Sequence, residues 1–155
     1  MLIGGCLLLF LLAHKAHSVP NDTSSAASTT PLLPPRPLEE VDGIAFEVSS
    51  TTAEQEQGLG DRANVPDNYA MLFAFPQDNQ YGFWMKDMLV PLDMVWLTDD
   101  GDIASITPDV APDTYPTVFY PPEPIRYVLE TKAGFAAEKG WKPATHIELP
   151  LPYDE

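Results

Sequence analysis

The chain has 155 residues, 45% hydrophobic and 10% aromatic, which suits one packed domain plus a leader and excludes wholesale disorder. A formal charge of −15 repels phosphate backbones and anionic headgroups, which counts against nucleic acid and anionic lipid as partners. Cys6 is the single cysteine and lies in the apolar N-terminal stretch. The rest of the chain therefore excludes a cysteine nucleophile, an iron–sulfur cluster, a cysteine zinc site and an internal disulfide.

Residues 1–18 read as an export leader. Leu2–Leu12 is an apolar run too short to span a bilayer but suited to a secretory signal, and Ala16-His17-Ser18 places small residues at the cleavage positions. A basic segment before the run is lacking, since Met1 alone precedes it. Leu2-Ile3-Gly4-Gly5-Cys6 offers an alternative, a lipoprotein-like box with Cys6 as the anchor. Either way the protein is expected to be exported, as a periplasmic, extracellular or membrane-tethered domain with no span beyond the leader. Residues 19–40 form a Ser-, Thr- and Pro-rich linker, carrying an Asn21-Asp22-Thr23 sequon that matters only in a eukaryotic secretory pathway. Residues 41–155 form the globular domain.

Within that domain Ile44, Phe46 and Val48 alternate with polar or small residues, the pattern of a half-buried strand. Thr51-Thr52-Ala53-Glu54 matches a capping box and predicts a helix over Thr52–Gln57, ended by Gly58 and Gly60. Met71–Phe75 is continuously apolar between Pro66 and Pro76 and predicts a strand buried on both faces. Pro76–Gln80 reads as a turn into a further strand, Tyr81–Asp87. Leu92–Thr98 and Ile103–Thr107 flank Asp99-Asp100-Gly101-Asp102, a hairpin signal. Pro108–Pro124 holds prolines 108, 112, 116, 121, 122 and 124 among Tyr115, Phe119 and Tyr120, which suits a packed loop or a lid. Arg126, Val128 and Glu130 share one face of a strand over Arg126–Thr131, a short helix follows at Ala133–Lys139, and Thr145–Leu149 reads as the last strand. About seven short strands and two short helices define a mostly β (α+β) domain of the small barrel or sandwich kind.

Chemistry rests on few residues. His14 and His17 lie in the leader, so His146 is the one histidine of the domain and any general base is His146 or a carboxylate. No metal site and no cofactor is expected. If Phe83-Trp84-Met85-Lys86 is extended, Trp84 and Lys86 share a face that would set an aromatic plate beside a cation. Arg62, Lys86, Asp93 and Glu130 are charges in apolar surroundings, which must find partners. They would form either a structural ion-pair network or, with Trp84, a site for a small polar or anionic ligand.

Gly58-Leu59 with Arg62, Met71-Leu72-Phe73-Ala74-Phe75, Phe83-Trp84-Met85-Lys86, Pro91-Leu92-Asp93, Val128-Leu129-Glu130 and Gly134 resemble, over Gly43–Leu149, the uncharacterised family known as domain of unknown function 192. The resemblance implies a small, mostly β domain with a barrel-like core, common in exported bacterial and archaeal proteins, and no established activity. The chain departs from the family pattern at Ala70, at Lys86-Asp87-Met88 and at Pro143-Ala144. The leading expectation is a non-enzymatic module that binds a small polar ligand, such as an envelope saccharide or an anion, through Arg62, Trp84, Lys86, Asp93 and Glu130. The alternatives are a glycosidase-like hydrolase using Asp93 and Glu130, and a purely structural or interaction module.

Overall fold

A computed structural model describes residues 38–150, so the leader, Cys6, the sequon and the linker up to residue 37 lie outside the described residues. The strands are β1 (Glu39–Val41), β2 (Ile44–Ser49), β3 (Tyr69–Asn79), β4 (Leu92–Leu97), β5 (Ile103–Val110) and β6 (Ile125–Lys132). The helices are α1 (Thr52–Gln57) and α2 (Phe135–Glu138), with a 3₁₀ turn at Pro112–Thr114. The strands form one sheet in the order β1-β2-β3-β6-β4-β5. β2 and β3 are parallel and every other neighbouring pair is antiparallel. The parallel pair needs a crossover, which α1 and the segment after it provide.

The mostly β, α+β class holds, while the barrel does not: β1 and β5 are separate edges of an open sheet. Among the described residues there are six strands rather than seven. Tyr81–Asp87 is a loop that touches strand geometry once, where Phe83 bridges Phe119, and Thr145–Leu149 likewise makes a single bridge, His146 to Asp102. β3 runs through Pro76 instead of turning there. Its pairing with β6 is irregular between Ala74 and Asn79, which accommodates a residue with no N–H to donate.

Alternation along the central strands gives the sheet two apolar faces, so elements pack on both. On the first face Met71, Phe73, Met94, Trp96 and Val128 meet Leu59, Phe83, Met85 and Met88 from the long loops. Phe83 is the centre of that layer, with its ring edge-on to Phe73 at 5.0 Å and to Trp96 at 5.4 Å. The buried Trp96 indole donates to Thr107 Oγ1 at 2.9 Å. On the second face Phe46, Leu72, Val95, Leu97 and Leu129 meet Phe135 and Ala136 of α2, with Ile147 and Leu149 of the C-terminal segment.

The predicted capping box is present at α1. The Glu54 amide donates to Thr51 Oγ1 at 3.4 Å and the Thr51 amide to Glu54 Oε2 at 2.9 Å. Gln55, buried beneath, anchors α1 by donating to the Ala74 carbonyl at 2.9 Å. Thr51→Ala is expected to lower stability by about 1 kcal/mol, read as a shift in the urea midpoint with unchanged slope.

Candidate functional site

The Phe83–Lys86 stretch follows the loop rather than a strand. Phe83 exchanges backbone hydrogen bonds with Phe119 at 2.9 and 2.7 Å, which clamps the proline-rich segment against it. Phe83 and Met85 point into the first-face core. Trp84 is 5% exposed yet belongs to neither core cluster. Its ring lies edge-on to Tyr115 at 5.4 Å, and its buried indole N–H meets no acceptor among the described residues. Tyr115 is 44% exposed, so a partly solvated ring lies against the buried Trp84 indole.

After Met85 the chain turns. The Met88 amide donates to the Met85 carbonyl at 3.3 Å, and Asp87 takes a φ of 58°. That left-handed conformation suits aspartate or asparagine. The turn carries Lys86 outward, its side chain 40% exposed and its Nζ 3.8 Å from Asp87. The Asp61 amide donates to the Asp87 carbonyl at 2.8 Å, which joins the Arg62 loop to this turn.

Arg62 is committed to protein groups. Its guanidinium grips Glu47 in two-point fashion, Nη1 to Oε2 at 2.9 Å and Nη2 to Oε1 at 2.8 Å, and Nη1 also donates to the Tyr69 hydroxyl at 3.0 Å. Tyr69 in turn donates to Glu47 Oε2 at 2.6 Å. The hydrogen bond to Glu47 holds the Arg62 pKa above its ordinary value. Burial, then the Glu47 hydrogen bond, pushes the Tyr69 phenol far above its own. Glu47 and Tyr69 were not legible as site residues, because an outward-facing glutamate on an alternating strand reads as solvated surface.

Asp93 and Glu130 diverge. Asp93 lies on β4 between Leu92 and Met94, so its side chain takes the second face. There Oδ1 accepts from the Asp109 and Gly134 amides at 2.9 and 3.1 Å, and Oδ2 from the Ala136 amide at 3.0 Å. Glu130 is 0% exposed on β6, level with Met71 and Met94 of the neighbouring strands, and takes the first face. A glycosidase pair must flank one bond from a shared cleft. The sheet stands between these two carboxylates.

His146 binds Asp102 through Nδ1 at 2.9 Å on an exposed edge. Among the described residues no three His, Cys, Asp or Glu side chains gather as metal ligands. Nor is any described helix long and apolar enough to cross a membrane.

The fold is that of a small α+β domain, an open mixed sheet with long loops packed on its faces. The chain belongs to the domain of unknown function 192 family, whose model, described as "Uncharacterized ACR", matches residues 38–149. It is also similar to two solved structures, each with a TM-score of 0.65 over 68% of this chain. One is a candidate transcription regulator from Sinorhizobium meliloti, 31% identical with 81% of that chain covered. The other is a protein of unknown function from Novosphingobium aromaticivorans, 30% identical with 75% covered. No curated protein matches the chain.

Proposed function

We propose that the domain is a non-catalytic module that binds a small polar or anionic ligand, with saccharides as the leading class, at the corner of Trp84, Lys86 and Tyr115. The observation that carries this reading is the Trp84 indole, a buried donor with no acceptor among the described residues, set under the partly exposed Tyr115 ring. A buried donor left unsatisfied costs about 1–3 kcal/mol, so an acceptor brought in beneath Tyr115 would be strongly favoured there. Aromatic rings suit the apolar faces of sugars, and the half-exposed Lys86 ammonium suits an anionic substituent. Arg62 is taken up by Glu47 and Tyr69, and Asp93 and Glu130 lie on opposite faces of the sheet, so these three are left out of the proposed site. Export through the 1–18 leader belongs to the same proposal, and envelope saccharides would then be within reach. The description of the Sinorhizobium relative points toward DNA, but a charge of −15 opposes contact with a phosphate backbone.

The test is an NMR titration of the full chain with N-acetylglucosamine and galacturonate, following the Trp84 indole N–H. We expect that resonance to move downfield as it gains an acceptor, and Lys86→Met to weaken galacturonate about tenfold while sparing the neutral sugar. A Trp84 signal that stays fixed with both sugars removes the reading.

A further inference from the structure

Beside the second face of the sheet lies a concavity of about 140 Å³, and we propose that it binds the zwitterion of a small free amino acid. It forms where three stretches meet: the β1–β2 turn, the chain after α2, and the C-terminal segment. Its floor is apolar, made by Val41, Ile44 and Ile147. Both signs of charge stand around it. Asp42 and Glu148 bring carboxylates and Lys139 an ammonium, while Trp141 supplies an aromatic wall.

The charged groups are exposed at the rim. Asp42 holds a left-handed φ of 51° in the turn set by the Val41–Ile44 pairing. Lys139 Nζ lies 5.3 Å from the centre of the Phe135 ring, and Trp141 is edge-on to the same ring at 5.4 Å. Glu148 Oε2 is 3.8 Å from His146 Nε2, and the other nitrogen of that imidazole is bound to Asp102.

The ligand class follows by elimination. A purely anionic guest would face the Asp42 and Glu148 carboxylates; an ammonium is favoured by them, and Lys139 adds a partner for a carboxylate on the same guest. A neutral saccharide would leave the apolar floor and three charges unused. A guest with one ammonium, one carboxylate and a short apolar side chain answers each feature. The volume lies below the roughly 300 Å³ at which sites for drug-sized ligands begin, which favours a single residue over a peptide.

The full chain, isotopically labelled, would be titrated with L-valine, and separately with isobutylamine and isobutyrate as its two halves. Valine is expected to give a saturable shift of the Trp141 indole N–H and the Gly43 amide without moving Trp84. Each half should bind at least about tenfold more weakly, and Asp42→Asn and Lys139→Met should each weaken valine by a similar factor with an unchanged melting temperature. No saturable shift, either half binding as tightly as valine, or binding indifferent to both substitutions would overturn the proposal.

Discussion

Asp93→Ala is expected to lower the unfolding free energy by about 3 kcal/mol or more, measured by urea denaturation, because a charged acceptor shared by three backbone amides is lost. The carboxylate is 1% exposed and accepts three backbone N–H groups, from Asp109, Gly134 and Ala136. α2 has only four residues, Phe135–Glu138, and its N-terminal cap is Gly134, which has no side chain to offer. Asp93 caps it from across the fold, 41 and 43 residues away in sequence. Alanine would strand the buried Ala136 donor, take the acceptor from the part-buried Asp109 and Gly134 amides, and loosen the helix that seals the second face. Asp93→Asn keeps the shape but turns an amide N–H toward a donor and weakens the rest, so about 1–3 kcal/mol is expected. A loss below 1 kcal/mol for the alanine variant would mean that water replaces the carboxylate, which the burial of this site opposes.

The second large effect belongs to Glu47, Arg62 and Tyr69. Glu47→Gln should cost about 2 kcal/mol, less than a fully buried pair because the Arg62 side chain is 37% exposed to screening solvent. The same cluster sets an alkaline limit. Burial raises the Tyr69 pKa in the folded state, and burial raises that of Tyr81 as well. A group with a raised folded pKa stabilises fully below its unfolded value, near 10 for tyrosine, and the contribution is lost as pH climbs beyond it. Stability is therefore expected to be level from neutrality to about pH 9, then to fall by about 1.4 kcal/mol per pH unit for each such phenol. Tyr69→Phe should cost about 1 kcal/mol at neutral pH and visibly flatten that alkaline fall. An alkaline limb unchanged by the substitution would assign it to other groups.

Local chemistry was readable, and long-range pairing was not. The capping box set α1 at Thr52–Gln57, and alternation placed Arg126, Val128 and Glu130 on one face of β6. Tyr81–Asp87 misled because aromatic and apolar residues pack equally well from a loop, and nothing local says whether a neighbouring strand accepts the hydrogen bonds. Barrel closure depends on whether the first and last strands in the sheet meet, which no window of sequence contains. The candidate site suffered in the same way. Arg62 was recognisable as a charge needing a partner, but Glu47 and Tyr69 lie 15 and 7 residues away on separate strands. The Phe83–Lys86 segment marked the right place while the expected strand geometry, with Trp84 and Lys86 side by side, gave way to a turn at Lys86-Asp87.

The strand order also dictates when the domain can exist. β3 and β4 never hydrogen-bond to one another; both are joined solely through β6, the last strand synthesised. Without β6 the sheet would be two separate parts, β1-β2-β3 and β4-β5, with no ladder between them. The six-stranded sheet is complete only once Ile125–Lys132 has paired with both halves.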